Sequence, residues 1–567
     1  MDAAISKPEY KIAAIMDDMV FDWFKFECSI IRLGTGNWQQ LLETEKPDLL
    51  FVHSAWEGSG KQWYLKICDI ELTGDQTLTQ VVSWCKENGI PTVFWNMEDP
   101  YHFDHFIHTA KLFDFVFTTD SNCIPRYKQE LGHNNVFTLP FAAQPKIHNP
   151  LGRDGKQNGP AAFAGTWYKN GHEDRKKDME IVLKPAFKHG LHIYDRMSSY
   201  TRSDIFRYPP EYAPYLKEGV PYSDMTDIYK KYKVFLNVNT VQNSPTMFAC
   251  RVLELLACGT NVVSGYALGI EKMLPGLVSL CKSPEDTARN LDILLRNKEI
   301  RDRRALLGQR EVFSKNTYRH RLETVLKKTK PGIDLESEPG VSVITCSNRP
   351  GMDSRIIANY RRQKYPVKEL IVVNNHGHYD SASWAAKVSK YKNVKVFNFD
   401  GSKTLAECLN FGVTQAIYDY ISKFDDDNYY APHYLTDLMH AFKYTNADIV
   451  GKRCCFVYFK DTKELAMRHP GNEYIYTNIL SGGALVINKE VFQQCGFFGN
   501  PAKGTVTRFL KKCVNNGFRV FSADRFNYVY LRESSGLNHT WNMDRDECLR
   551  KSKVVLLTND YLTHTTV

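Results

Sequence analysis

No apolar run in this chain approaches the roughly 18 residues that a membrane-spanning helix needs. No CxxC pair and no Cys/His metal spacing occurs among its 14 cysteines, so neither a zinc-finger scaffold nor a disulfide framework is expected. The reading is free thiols in a reducing compartment. The opening Met1-Asp-Ala-Ala-Ile-Ser-Lys-Pro has none of the pattern of a secretory leader. A soluble, cytoplasmic protein is expected, with association at the inner face of a membrane left open. No block of lysine or arginine dominates, and the net charge of +9 over 567 residues is diffuse. That disfavours nucleic acid as a partner. Ser59-Gly60-Lys61 lacks the remainder of a P-loop and reads as an ordinary loop.

What is present is strand–helix alternation, in three blocks. In the first, short apolar runs end in polar residues: Lys11–Met16, Asp48–His53, Pro91–Asn96, Phe113–Thr118 and Asn135–Leu139. A helical pattern, Leu78–Glu87, lies between them. Such alternation predicts a parallel, doubly wound sheet, with ligands beyond the carboxyl ends of its strands. The residues to watch are therefore Asp17, Asp18, His53, Asn96, Glu98, Asp99, Thr119 and Asp120. Glu98 and Asp99 follow a strand and are the candidate catalytic bases for an acceptor hydroxyl. The competing reading is that Asp99-Pro100 merely starts a turn.

Residues 146–160 read as a linker. The second block has strands at Ala161–Ala164, Leu191–Tyr194, Val234–Val238, Asn261–Ser264 and Leu277–Leu280. Helices are expected at Cys250–Cys258 and Pro284–Asn297, and one basic helical stretch over about 299–328. A polar segment with two Pro-Gly pairs then separates a third block, with strands at Val341–Cys346, Leu370–Val373, Val394–Phe397, Ala447–Val450, Gly483–Ile487 and Arg519–Phe521. The domain boundaries drawn are 1–150 and 151–328 for two Rossmann-like halves, 329–340 for a linker and 341–567 for a third domain.

Two segments carry the chemistry. Met247-Phe-Ala-Cys-Arg251-Val-Leu-Glu254-Leu-Leu-Ala-Cys-Gly259-Thr is a helix with Arg251 and Glu254 one turn apart, stopped by glycine. A salt bridge between the two is the plainer reading. Asp425-Asp426-Asp427, at the end of an apolar strand, is an acidic cluster whose hard oxygens suit Mg2+ or Mn2+. A solvated acidic turn is its alternative.

The first segment resembles the donor-binding helix of GT-B glycosyltransferases, and residues 10–325 resemble the CgeB-like type of that superfamily. The resemblance implies a ribose contact for Glu254 and a diphosphate site near Arg251. It also implies a phosphate loop at Phe163-Ala-Gly165-Thr166 and a diphosphate-pairing role for Arg175, with no cofactor in this module. From residue 341 on, the chain resembles glycosyltransferase family 2, of GT-A fold. There the resemblance implies nucleotide contacts for Ser347, Arg349, Asn374 and Asn375, and a donor contact for Asp426. It implies Mn2+ or Mg2+ ligands at Asp425, Asp427 and His539. Two departures stand out. Asn374-Asn375 replaces an aspartate, and Thr505-Val506 stands where the family has its acidic base; Glu473 is the substitute acid considered. The fold expected is α/β, two Rossmann-like halves followed by a GT-A domain. The function expected is sugar transfer from a nucleotide sugar, UDP-linked first among them, to a hydroxyl of a glycan, cell-surface polymer or glycoprotein. The alternative is that only the GT-B module is catalytic and the other binds donor or glycan.

Overall fold

A computed structural model gives the architecture. It describes residues 10–567 except 154, 201, 331–337, 377–380, 390, 497, 500–503 and 534–544. The chain forms two compact units: unit 1 is Met1–Asn149 with Gln157–Leu335, and unit 2 is Pro150–Lys156 with Glu336–Val567.

Unit 1 contains two six-stranded sheets. The first comprises β1 (Lys11–Ile15), β2 (Ser29–Arg32), β3 (Leu49–His53), β4 (Thr92–Asn96), β5 (Phe115–Thr118) and β6 (Val136–Thr138), in the order β2-β1-β3-β4-β5-β6. The second comprises β7 (Gly159–Gly165), β8 (Leu191–Asp195), β9 (Leu216–Glu218), β10 (Tyr232–Asn237), β11 (Asn261–Gly265) and β12 (Ser279–Cys281), in the order β12-β11-β10-β7-β8-β9. Every pairing in both sheets is parallel. Central strands such as Thr92-Val-Phe-Trp-Asn96 are buried at every position, because helices cover both faces of a parallel sheet. This is why these strands read as unbroken apolar runs. The strands missed by sequence, β2 and β9, are short edges with partly exposed residues.

The basic stretch expected as one helix is two. Lys298–Lys315 ends at Asn316, and Thr317 starts a new helix, Tyr318–Thr329, with a capping box to His320. The break lets the second helix return to the first half. Tyr318 stacks on Trp23 at 4.7 Å, and Arg321 donates to the carbonyls of Pro140 and Phe141, each at 2.7 Å.

Unit 2 carries the strands β13 (Val341–Ser347), β14 (Lys368–Asn375), β15 (Val394–Phe399), β16 (Tyr420–Lys423), β17 (Tyr429–Tyr430), β18 (Ile449–Gly451), β19 (Cys455–Phe459), β20 (Glu464–Arg468), β21 (Ile475–Tyr476), β22 (Leu485–Asn488), β23 (Val520–Ser522), β24 (Tyr528–Arg532) and β25 (Ser552–Leu557). Eight form a mixed sheet, β15-β14-β13-β16-β22-β18-β23-β21, whose first four strands are parallel. Five form a second sheet, β17-β24-β19-β20-β25, which sequence reading did not foresee. The fold class is as expected: α/β, two Rossmann-like halves followed by a third α/β domain. All 14 cysteines are free thiols. No described helix is long and apolar enough to cross a membrane.

Arg321 is the joint of unit 1, only 6% exposed and donating to main-chain carbonyls and to Asn316. Arg321→Met leaves the Pro140 and Phe141 carbonyls unsatisfied and is expected to cost unit 1 about 3 kcal/mol in urea unfolding. An unchanged midpoint would contradict this role.

Candidate donor sites at the strand ends

In the second sheet of unit 1, the chain runs outward from β7 through β8 and β9 on one side, and from β10 through β11 and β12 on the other. The switch point lies between β7 and β10, and ligands bind in the crevice that such a reversal opens. Gly165 ends β7 there, and Thr166 follows, 3% exposed. A Cβ at Gly165 would collide with the Phe163 ring at 2.8 Å, so glycine lets that ring pack against the strand end. Arg175 comes from the helix Glu173–Leu183, and its Nη2 donates to the Thr166 carbonyl at 3.0 Å. Arg251 opens the helix Arg251–Ala257 and bonds the Ala164 carbonyl. Two arginines thus hang on one three-residue turn.

Among the described residues, neither arginine forms an ion pair. Arg175 is 9% exposed, and its Nε has no hydrogen-bond partner; the Thr166 hydroxyl is also buried and unpartnered. Burial pushes the Arg175 guanidinium down from its usual value, and the neighbouring Arg251 and Arg196 add to the shift. Buried donors without acceptors are costly, and an anion would satisfy them. At the ends of β10 and β11, Asn239 donates to Ser264 at 3.2 Å and Asn237 donates to both. Asp178, one turn beyond Arg175, accepts from Gln242 at 3.1 Å and lies so close to Gly265 that a Cβ there would collide with it. Burial pushes its carboxyl up to about 7. Sequence reading missed Asp178, Asn239 and Ser264; their spacing from Arg175 and their place at strand ends were the available signals.

Glu254 lies in different surroundings from those the resemblance implies. It is 1% exposed, and its two oxygens accept from Tyr222 at 2.6 Å and Tyr229 at 2.9 Å. Tyr222 in turn accepts from Trp23 Nε1 at 2.9 Å. Arg251 and Glu254 form no salt bridge among the described residues, although they lie one turn apart. Glu254 is a buried hub between the two halves of unit 1.

In the first half, Asp99 is 1% exposed and fully enclosed. Thr118 donates to its Oδ2 at 2.5 Å, and Asn96 and Tyr127 donate to its Oδ1 at 2.8 and 3.2 Å. Burial pushes its carboxyl up to about 7. Glu98 is the partly exposed member of the pair, with its carboxyl also raised by burial and His102 3.8 Å away. Nearby, His53 is buried and neutral, its pKa pushed down to about 3 by burial, and its Nε2 accepts from the Asp17 amide. Polar contacts draw the two halves together: Ser244 donates to Asp120 at 2.5 Å and Thr246 to the Thr119 carbonyl at 2.8 Å.

In unit 2 the expected residues gather at the carboxyl ends of β13, β14 and β16. Ser347 pairs in register with Asn374, and Ile344 with Lys423. The Ser347 hydroxyl donates to Asp426 Oδ2 at 2.5 Å. Arg349 donates through Nε to the same oxygen at 3.2 Å, and through Nη2 it pairs with Asp426 Oδ1 and, at 3.2 Å, with Asp427 Oδ2. Asp425 pairs with Lys423 through one oxygen and accepts from Asn428 at 3.0 Å through the other. Arg532 Nη1 is 3.8 Å from Asp427. Asn374 donates to Asn398, and Asn375 donates to the Lys403 carbonyl while its own oxygen is buried without a partner. His539 lies outside the described residues.

Side-chain cations occupy the place a divalent ion would take: Lys423 is on Asp425, Arg349 is on Asp426 and Asp427, and Arg532 faces Asp427, so Mg2+ or Mn2+ would have to displace them to coordinate these carboxylates. No group of three or more His, Cys, Asp or Glu side chains among the described residues is placed to hold a metal. The acid considered as a replacement base, Glu473, is 5% exposed and paired with Arg525 at 2.9 Å. Thr505 opens a helix, and Val506 is packed in the core with Phe509.

Comparison with known proteins finds two matching segments. Residues 182–327 match the family described as "Glycosyl transferase-like", and residues 342–498 match "Glycosyl transferase family 2". The spore protein CgeB of Bacillus subtilis is 23% identical over 33% of this chain and 60% of its own length. A poly-beta-1,6-N-acetyl-D-glucosamine synthase of Staphylococcus aureus is 26% identical over 19% of this chain and 27% of its own. The chain therefore spans less than two thirds of these relatives. Two solved structures are distantly similar. One is the mannosyltransferase PcManGT of Pyrobaculum calidifontis in complex with GDP-Man and Mn2+ (TM-score 0.30, 17% identity, 39% of this chain and 66% of that one). The other is S. aureus TarS 1–349 in complex with UDP-GlcNAc (TM-score 0.27, 16% identity, 34% and 59%). At these scores neither bears on the reaction. The chain carries, in tandem, a glycosyl transferase-like segment and a segment of glycosyl transferase family 2.

Proposed function

We propose that this protein transfers sugars from nucleotide donors to hydroxyl acceptors, with the donor diphosphate of unit 1 held by Thr166, Arg175 and Arg251. The observation that carries this reading is the pair of arginines that, among the described residues, have no acidic partner at the β7–β10 switch point, beside a buried hydroxyl and a buried guanidinium nitrogen that make no hydrogen bond. A diphosphate supplies acceptor oxygens in number, and the cations stabilise charge that develops on the leaving group. Asp178, Asn239 and Ser264 line the same edge and can take sugar or ribose hydroxyls. Glu254 can reach a ribose only if Tyr222 leaves it. UDP-linked sugars are the first donors to test, and a glycan, cell-surface polymer or glycoprotein is the acceptor class.

Glu98 is the base in this reading. It is partly exposed, raised in pKa by burial, and follows β4 at the edge facing the second half. Asp99 holds Asn96, whose Oδ1 accepts from the Glu98 amide at 3.0 Å. In unit 2, Ser347, Arg349, Asn374 and Asn375 surround a second donor site. Mn2+ or Mg2+ on Asp425 and Asp427 would require Lys423 and Arg349 to leave them, so no step is routed through an ion.

Two outcomes follow. Arg175→Ala and Arg251→Ala should each weaken nucleotide-sugar binding to unit 1 by about tenfold or more, the worth of a charge-assisted hydrogen bond, measured calorimetrically in EDTA. Unchanged affinity in both would remove the diphosphate site.

The second outcome concerns Asp99. Its carboxyl is at about 7 in the folded state against 3.8 as the reference. Its stabilising contribution is therefore complete below about pH 4 and is lost as pH rises through 7. His53 acts oppositely, losing stability as pH falls from 6.5 towards 3. Asp99→Asn should remove only the first effect. The stability of the variant minus that of the parent should then climb by about 1.4 kcal/mol per pH unit between about pH 4 and 7. Parallel urea-unfolding profiles across that range would show that Asp99 is ionised throughout.

A further inference from the structure

Lys423 has no counterpart among the residues the functional reading uses. It is the last residue of β16, two positions before Asp425, which its ammonium reaches. It is 8% exposed, and it closes an ion pair with Asp425. Arg349 comes from the loop after β13 and bridges Asp426 and Asp427. Arg532, at the end of β24 and also buried, faces Asp427 and donates to Asn428 Oδ1 at 3.2 Å. Asn428 in turn holds the second oxygen of Asp425. Three carboxylates thus meet three fixed cations, and the triplet is electrically closed without an added ion.

This is a built arrangement rather than a surface coincidence. Gly483 leaves room for the Asp425 carboxylate, which would collide with any Cβ there. The Asp425 amide donates to Tyr430 OH at 2.7 Å, and that hydroxyl donates to the Gly483 carbonyl at 2.6 Å. Asp425 is thereby held on both its backbone and its carboxylate. A divalent ion entering the triplet would have to displace an ammonium from the partly exposed Asp425 and a guanidinium from the buried Asp426 and Asp427. Removing one member of a buried pair carries a large penalty. Arg349, 32% exposed at its side chain, is the member of the set that reaches solvent. It can meet a phosphate while remaining tied to Asp426.

We propose that unit 2 carries its own cations, Lys423 and Arg349, in the place of a divalent ion, and that its Asp triplet takes a nucleoside diphosphate without metal. The inference rests on reading unit 2 as a donor-binding module, but its metal half is tested apart from that reading. The triplet becomes a scaffold that aims cations at the diphosphate, rather than a ligand set.

The test is Mn2+ binding to the full chain, followed by the paramagnetic resonance of the free ion. The parent protein should take up no stoichiometric Mn2+. Lys423→Met and Arg349→Gln should each gain a Mn2+ site at least about tenfold tighter than anything in the parent. Mn2+ should raise the melting temperature of these variants and not that of the parent. A stoichiometric Mn2+ site in the parent, abolished by Asp427→Asn, would overturn the proposal even if neither variant folds. The nucleotide half is read in the full-length double variant Arg175→Ala/Arg251→Ala, which removes both arginines of the unit 1 site. UDP and GDP should bind equally in EDTA and in Mn2+. Binding only with Mn2+ overturns the proposal. Absence of nucleotide binding in both conditions overturns the donor-binding reading of unit 2, while the Mn2+ result still decides which cations own the triplet.

Discussion

A charge removed from water must be met by another charge or by hydrogen bonds. That constraint divides the two units of this protein. In unit 2 every aspartate of the triplet is met, by Lys423, Arg349 and Arg532. In unit 1 the arginines around Gly165 and Thr166 are met, among the described residues, by carbonyl oxygens and no carboxylate, which leaves positive charge and an unpartnered buried nitrogen beside the strand end. The first arrangement is complete within the chain. The second waits for an anion. The functional account follows from this asymmetry: positive charge at a strand-end crevice in unit 1, and a cation-loaded acidic scaffold at a strand-end crevice in unit 2.

The same constraint explains the buried carboxylates that do not bind anything in this account. Glu254 is surrounded by tyrosine hydroxyls, and Asp99 by Thr118, Tyr127 and Asn96. Each oxygen is satisfied internally, so these residues hold elements in place. Glu254 ties the helix Arg251–Ala257 to Tyr222 and, through it, to Trp23 in the other half. The helix that presents Arg251 to the proposed diphosphate site is therefore fixed by the residue three positions on.

Much of the fold was legible in the sequence. Central parallel strands are buried on both faces, so β4, β10 and β14 appear as continuous apolar runs that end in polar residues. The five-stranded second sheet of unit 2 was not legible. Its strands are short, two of them end in arginine, and they are scattered between Tyr429 and Leu557, interleaved with strands of the other sheet, so no regular strand–helix alternation marks them. The single long basic helix was a misreading of two, because Asn316-Thr317 offers a stop and a cap within an otherwise even pattern. Site residues were legible as residues but not as partners. Arg175 and Arg251 lie against the end of β7, and the Asp triplet follows β16. Nothing in Arg251-Val-Leu-Glu254 reveals that the glutamate turns to tyrosines 25 and 32 positions away. The lysine two residues before Asp425 was the one local signal that the triplet is already neutralised.

The most direct test of the account is release of nucleoside diphosphate from a panel of nucleotide sugars by the full chain in the presence of EDTA. The account predicts release that persists when all divalent metal is removed, because both crevices neutralise the diphosphate with side-chain cations. Release that appears only when Mn2+ or Mg2+ is restored would contradict it, and would return Asp425 and Asp427 to the role of metal ligands.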